Sequence, residues 1–236
     1  MEYRIRKRPS YAMVEVTLAE GEQIETKPGV MMSRTAGVGV ESDVGGDAGV
    51  VGTVGRALSD ERTLVDNAYY AEADDERVTL VPEHPGDIEA IEMGQRGELR
   101  VQSGALIGWE PLVERSTEWN DRSNLLSSGE LTVLGLSGRG TAFLSAFGSM
   151  VEREITPGEP FIVDEDHLVA WTAGMDLSRR GEGNLKSTVL GGEGFVTEFR
   201  GEGQVWLQTR DPTLFASGTE HDDDETSGGI GVDDFL

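Results

Sequence analysis

The 236-residue sequence predicts an all-β protein with few or no helices, built from repeated Gly-Glu hairpin units that pack as one sandwich or as a β-helical wrap. A pattern that opens with Gly-Glu and holds two strand-like segments occurs three times, at residues 21–34 (GEQIETKPGVMMSR), 97–110 (GELRVQSGALIGWE) and 158–172 (GEPFIVDEDHLVAWT). Such internal repetition is typical of stacked or wrapped β-units. The 32 glycines fit a chain with many tight turns, and the sequence has no cysteine for a disulfide scaffold.

The first third of the chain predicts strands separated by glycine-rich segments. Residues 11–35 contain two predicted strands, YAMVEVTLA and VMMSRT, and the first alternates apolar and polar side chains like a half-buried strand. The Gly/Val-rich residues 36–55 are either a flexible loop or a pair of strands broken by glycines. Residues 56–70 predict a helical turn followed by a strand.

The strand signal is continuous from Arg77 onwards. VTLVP is a predicted strand, PEHPG is a turn, and another strand runs from Ile88 to Gly94, ahead of the second Gly-Glu unit. The polar segment that follows this unit predicts turns and a short helix around Trp119 to Leu126.

The last third repeats a second pattern. LTVLGL, TAFLSAF and SMVEREI are predicted strands, and GFVTEFRGEGQVWLQT predicts a closing hairpin that turns at Gly201-Glu202-Gly203. GRGTAFLSAFGSMVERE and GEGFVTEFRGEGQVWLQ share a Gly-x-Gly start, a Phe-bearing strand and a glycine turn. Neither unit can bury an apolar face alone, so we expect the units to pack together.

Composition divides the chain into three parts. These are an N-terminal arm (residues 1–10), a single β-sandwich domain with internal pseudo-repeats (residues 11–212) and a disordered acidic tail (residues 213–236). The tail carries seven acidic residues from residue 218 onwards and no lysine or arginine. We expect it to stay unfolded because it has little apolar surface to bury.

The net charge of −24 comes from 44 acidic and 20 basic residues, only three of which are lysines. Without the seven acids of the tail the balance is 37 to 20, so the excess covers the folded body as well. A lysine-poor acidic surface suits molar salt, where charges are screened beyond about 3 Å. We expect a halophilic, archaeal source, with an ordinary acidic protein as the alternative. Because there is no basic stripe, nucleic-acid and membrane binding are not expected.

The sequence predicts a cytoplasmic protein. The N-terminus MEYRIRKRPSYAMVEV lacks the apolar stretch of a secretory signal, and no run approaches the roughly 18–20 apolar residues of a membrane-spanning helix.

Four segments together resemble the altered-inheritance-of-mitochondria-24-type family: LAEGEQIETKPGVMMSR, PGDIEAIEMGQRGELRVQSGALIGWEP, ITPGEPFIVDEDHLVAWTAGM and LGGEGFVTEFRGEGQVWLQTR. The resemblance covers about residues 10–212. It implies a jelly-roll-like sandwich in the superfamily named after the trp RNA-binding attenuation protein, and it implies a homotrimer. It brings no known activity, cofactor or catalytic residue, and fold alone does not give function.

The residues that could carry chemistry are scattered. His84 lies in a turn and His221 in the tail, and the paired histidines of cupin-type metal sites are missing. Asp164, Glu165, Asp166 and His167 either hold a hard cation or form a solvated acidic turn, and the sequence leaves both open. With no Gly-x-Ser-x-Gly elbow and no phosphate-binding loop, we predict no catalytic residue, no metal, no cofactor and no enzyme activity.

Five aromatic or apolar residues are candidates for interaction. Trp109, Trp171 and Trp206 lie on or just after predicted strands, where they are either stacking platforms for bases or sugars or residues of the core or a subunit interface. Phe235 and Leu236 end the acidic tail and could anchor it to a partner.

The leading hypothesis is therefore a non-enzymatic binding or scaffold module, a homotrimer adapted to high salt that engages an unknown protein partner. One alternative is a single-stranded RNA-binding protein, which rests on fold analogy alone. The other is a small-ligand sensor that uses a pocket between sheets or subunits.

Overall fold

The computed structural model describes residues 1–44, 65–116, 132–181 and 195–212. These segments contain nineteen β-strands, one four-residue α-helix and one turn of 3-10 helix, so the all-β prediction is confirmed. The helix predicted near Trp119, most of the Gly/Val-rich segment and the acidic tail with Phe235 and Leu236 lie outside the described residues. The jelly-roll connectivity stays a prediction.

The elements follow one another closely along the chain. The single helix, α1 (Met93–Arg96), is far shorter than the roughly 20 residues that a membrane-crossing helix needs, and the described residues hold no longer one. The 3-10 turn is Glu165–His167. The strands are β1 Glu2–Arg6, β2 Met13–Leu18, β3 Gln23–Thr26, β4 Met31–Arg34, β5 Val38–Val44, β6 Val65–Ala71, β7 Glu76–Leu80, β8 Ile88–Glu92, β9 Leu99–Gln102, β10 Leu106–Trp109, β11 Val113–Ser116, β12 Val133–Gly138, β13 Thr141–Ser145, β14 Met150–Ile155, β15 Phe161–Asp164, β16 Leu168–Thr172, β17 Asp176–Gly181, β18 Phe195–Arg200 and β19 Gly203–Gln208.

The strands form four antiparallel sheets. Sheet A has the order β1-β2-β7-β4, and sheet B has the order β5-β6-β3-β10-β13-β8. Sheet C has the order β11-β12-β9-β16-β19-β14, and sheet D has the order β15-β18-β17. Residues 1–10, predicted to form a separate arm, contribute the edge strand β1 of sheet A.

Three hydrophobic cores alternate with the four sheets. The first core joins sheets A and B, for example through Val16 and Phe143, and the second joins sheets B and C through Leu144 and Val101. The third core joins sheets C and D and includes Trp171. Sheets B and C are therefore buried on both faces. Accordingly, every residue of β10 and β13 is buried, whereas β2 on the outer sheet A buries only every second residue.

The chain passes through this stack in three similar units. Unit 1 (β3–β8) visits the sheets in the order B, A, B, B, A, B, and unit 2 (β9–β14) visits them in the order C, B, C, C, B, C. Unit 3 (β15–β19) follows the order D, C, D, D, C. Within each unit the first strand pairs with the fourth, the second with the fifth and the third with the fourth. The internal pseudo-repeat is thus a threefold structural repeat of strand pairing.

The Gly-Glu pattern marks the start of each unit. Gly21, Gly97 and Gly158 all have positive φ, at 80°, 72° and 92°, which explains the glycine. The two strands of each pattern then enter different sheets and do not pair with each other. The prediction that these units are hairpins is therefore wrong: each is an arch across one core. A hairpin and an arch have the same strand-turn-strand pattern in the sequence. The pattern does not indicate which sheet the second strand joins.

The same correction applies to the closing hairpin. β18 belongs to sheet D and β19 to sheet C, although both strands lie where the sequence predicts them. The second sequence repeat is also shifted by one strand. The sequence repeat aligns β13 with β18, whereas the structural equivalent of β13 is β19. Both β13 and β19 pair with the second strand of their own unit.

Candidate interaction surfaces

The three tryptophans of the sequence prediction are core residues. Trp109, Trp171 and Trp206 are each 1% exposed. Trp109 donates a hydrogen bond from Nε1 to the carboxylate of Glu25 at 2.6 Å, and the guanidinium of Arg115 lies 4.0 Å from its ring centroid. Because all three rings are covered within one chain, no face is open for a base or sugar to stack on. The core alternative describes these positions.

The acidic turn between β15 and β16 has its side chains directed to different partners. Asp164 accepts a hydrogen bond from the backbone N–H of Asp166 at 3.1 Å, which caps the 3-10 turn. Glu165 is buried and accepts from Arg179 Nε at 2.8 Å and from Thr197 Oγ1 at 2.9 Å. Glu165 therefore stabilises the packing of sheet D instead of facing solvent.

His167 and Asp166 complete this turn. His167 Nδ1 lies 2.8 Å from the carbonyl oxygen of Gln208, which ties the turn to β19. Partial burial, followed by the negative charges of Asp211, Asp164 and Glu165, raises the pKa of Asp166. Within the described ranges no group of three or more acidic or histidine side chains is arranged to hold a metal ion.

A second ionic group fastens the N-terminal segment to sheet B. Arg8 donates from Nε and Nη2 to the two carboxylate oxygens of the buried Asp87 at 2.7 and 2.9 Å. The same Nη2 lies 2.7 Å from a carboxylate oxygen of Glu89. These hydrogen bonds to carboxylates, above all that of Asp87, raise the pKa of Arg8. This fork of donors fixes the start of β8 beneath the β1–β2 connection.

A shallow cleft opens beside this ionic group. It has a volume of about 230 Å³, and its walls include Tyr11, Pro82, His84 and Pro85. Tyr11 is 74% exposed, and the ring of His84 lies 5.3 Å from that of Phe147. The volume is below the roughly 300–1,000 Å³ of most small-molecule sites, so the cleft suits a side chain or a small group better than a large ligand.

Strands β4 and β15, at the two ends of the stack, expose apolar side chains. Met32 on β4 is 53% exposed and Ile162 on β15 is 52% exposed. In the described segments each strand has one neighbour only, β7 for β4 and β18 for β15, so each also presents an open edge. Sequence reasoning missed both, because VMMSRT and PFIVD read as ordinary buried strands.

The chain matches the family model described as "Mitochondrial biogenesis AIM24" over residues 3–210. An uncharacterised protein of Streptococcus pyogenes serotype M6 is 25% identical over 222 residues, which cover 92% of this chain and 88% of that protein. The crystal structure of a protein from Streptococcus pyogenes superposes with a TM-score of 0.74 at 27% identity, covering 92% of this chain and 97% of that one. The family match spans nearly all the described residues, and the chain belongs to this family.

Proposed function

We propose that this member of the AIM24 family is a non-enzymatic scaffold protein of the cytoplasm that assembles as a homotrimer and binds a protein partner. The observation that carries the proposal is the pair of open end strands, β4 and β15, with their exposed apolar side chains. An open strand edge with apolar residues invites pairing with another chain, and natural proteins cover or charge such edges.

The use of the buried ionisable groups also supports a scaffold role. Glu165 is neutralised by Arg179 and Asp87 by Arg8, and each pair joins two strands or segments. Catalytic acids and bases face a cleft where a substrate can reach them. These two carboxylates instead serve to hold sheets together.

Assembly into a trimer is what the family resemblance implies. Two different ends on one chain suit a heterologous contact, in which the same pair of surfaces recurs around a closed ring. The proposal is tested by light scattering at multimolar KCl together with affinity capture at the same salt. A trimer with a stoichiometric protein partner is expected. A monomer, or a trimer that retains no protein partner, contradicts it.

Adaptation to high salt forms part of the proposal. The net charge of −24 produces self-repulsion in dilute buffer that salt screens. We expect the melting temperature to rise substantially from 0.1 M to multimolar KCl. Equal melting temperatures at both salt concentrations contradict this part of the proposal alone, and a halophilic, archaeal origin stays a prediction.

A small-ligand sensor is the second candidate, favoured by the cleft at Tyr11 and His84. Its aromatic and proline walls are the apolar lining such sites use. A thermal-shift screen of metabolites against the wild type and Tyr11→Ala tests it. A ligand that stabilises only the wild type supports the sensor, and a screen with no stabilising compound argues against it.

A further inference from the structure

Adjacent units are joined in the same way at both joints within the chain. The second strand of one unit pairs antiparallel with the first strand of the unit before it: β10 with β3, and β16 with β9. In unit 2, Gly108 faces Thr26 and Trp109 faces Glu25. In unit 3, Ala170 faces Val101 and Trp171 faces Arg100. The two joints therefore share one register.

A bulge in the second strand carries one side chain into the core of the preceding unit. The register of β10 against β13 skips Ile107, and that of β16 against β19 skips Val169. Ile107 packs in the first core and Val169 in the second, each fully buried. A bulge re-aims a side chain in this way. Each joint therefore combines an edge pairing with an inserted apolar residue.

At the two ends of the stack, β4 and β15 have the features of a joint but no neighbouring unit within the described residues to pair with. β4 is the second strand of unit 1, and its register against β7 skips Met32 at the equivalent position. β15 is the first strand of unit 3 and, among the described residues, pairs with β18 alone. Phe161 on β15 and Leu177 on β17 border the third core and remain partly exposed.

Charge separates these two strands from the other edges of the sheets. The edge strands β1 (EYRIR), β5 (VGVESDV), β8 (IEAIE), β11 (VERS), β14 (MVEREI) and β17 (DLSRRG) each carry two or three charged residues. By contrast, β4 (MMSR) and β15 (FIVD) carry one each. Charged edges block pairing with another chain, so β4 and β15 are the two edges that lack this protection.

We infer that β4 of one copy pairs antiparallel with β15 of a second copy, with Ser33 facing Val163 and Arg34 facing Ile162. The inference rests on the proposed assembly and specifies its contact. The merged sheet has the order β17-β18-β15-β4-β7-β2-β1 and repeats the β9–β16 joint across two chains. Met32 then enters the third core of the second copy, just as Ile107 and Val169 each enter the core of the unit that precedes their own.

The occupant is a second copy because one chain cannot join its own ends. Sheets A and D are the outermost layers, separated by sheets B and C, and three layer spacings of about 10 Å place them about 30 Å apart. Each copy offers one β4 edge and one β15 edge. A closed ring of copies leaves neither edge open, whereas an open chain of copies leaves one at each end.

Because the sequence has no cysteine, introduced thiols report this contact directly. Directly opposed residues of antiparallel strands lie about 4.5–5.5 Å apart at Cα, within the range that a disulfide spans. The test variant is Arg34→Cys with Ile162→Cys, oxidised at native salt and run on a denaturing, non-reducing gel. We expect a ladder of disulfide-linked bands whose largest member contains as many copies as the ring. The control, Arg34→Cys with the exposed Glu154→Cys on β14, should stay monomeric on the gel.

The single-cysteine variants separate this contact from its alternatives. Neither Arg34→Cys alone nor Ile162→Cys alone should form a disulfide between copies. When the two variants are dissociated, mixed and reassembled, we expect a disulfide-linked dimer of one copy of each. Cross-linking by either single variant indicates like-to-like pairing and overturns the inference, as does a disulfide within one chain. An oligomer by light scattering without a ladder overturns this register and leaves the scaffold proposal standing. A monomer overturns both.

A substitution at Met32 tests the inserted side chain. Met32→Asp places a charge in the third core of the neighbouring copy, so we expect at least a tenfold rise in the dissociation constant of the assembly, measured by dilution in light scattering. Met32→Leu should retain assembly. Leu112→Asp is the matched control, because Leu112 is 71% exposed and lies on neither end strand. Equal assembly of Met32→Asp and Leu112→Asp overturns the insertion.

Discussion

The interior joints and the ends of the stack use the same backbone plan with different residues. The position occupied by Trp109 in unit 2 and Trp171 in unit 3 is Arg34 in unit 1, and Phe143 of β13 corresponds to Thr79 of β7. The interior residues are buried between sheets, whereas Arg34 is exposed. At these two backbone positions the interior joints have large apolar residues, and unit 1, at the end of the stack, has the polar Arg34 and Thr79.

Removal of an interior anchor is expected to have the largest effect. Phe143 is 0% exposed and packs in the first core, so Phe143→Ala should lower the free energy of unfolding by about 3–5 kcal/mol through lost burial and the cavity left behind. The measurement is denaturant unfolding at fixed protein concentration and salt. Thr79→Ala, at the equivalent position of unit 1, should cost about 1 kcal/mol or less. Equal losses would remove the distinction between interior and end.

The ion pair within sheet D provides a second test. Arg179 is the guanidinium partner of the buried Glu165, and Arg179→Ala leaves that carboxylate buried without its cation. We expect a loss of about 3 kcal/mol or more in the free energy of unfolding, because an uncompensated buried charge is costly. The exposed pair of Arg6 and Glu15 is the control, and Arg6→Ala should cost less than about 1 kcal/mol. A loss near zero for Arg179→Ala would mean that sheet D is held by its apolar contacts alone.

The sequence predicts most strands correctly because alternation and turn residues are local signals. β2, with its alternating Val14, Val16 and Leu18, lies within the predicted segment, and the arch glycines lie where turns are expected. Sheet membership was missed, since an arch and a hairpin have the same local sequence. Which sheet receives the second strand depends on the sum of contacts across a core.

The interaction surfaces were harder to predict than the fold for the same reason. The three tryptophans are conspicuous in the sequence, yet their exposure depends on which sheets cover them. Met32 and Ile162 look like core residues in sequence, and only the strand order shows that their strands are the uncovered ends of the stack. The low charge of MMSR and FIVD was a readable signal, but it acquires meaning only once the edges are known.

Substitution of the first glycine of each Gly-Glu pattern should have the same effect in the end units and in the interior unit. At Gly21, Gly97 and Gly158 an added Cβ would meet no atom within 4 Å, so the cost of alanine comes from the positive φ alone. We expect each Gly→Ala substitution to lower the free energy of unfolding by about 1–2 kcal/mol. Gly104→Ala, with equal space and no positive φ, should be neutral or slightly stabilising. The measurement is denaturant unfolding. Unequal losses at the three glycines would indicate that the units differ in local backbone structure as well as in the units that they contact.

The smallest expected effect concerns the acidic turn beside β15. Burial, then the charges of Asp211, Asp164 and Glu165, raises the pKa of Asp166 in the folded protein. The folded state therefore holds this proton more tightly than the unfolded state, and stability falls as pH rises from the unfolded pKa through the folded one. Asp166→Asn should raise the melting temperature slightly at pH 7 and leave it unchanged near pH 3, where the carboxyl is protonated in both states. Thermal melts at both pH values, with Glu202→Gln as an exposed control, measure this difference. A gain of equal size at pH 3 would assign the effect to the amide's hydrogen bonding instead of the removed charge.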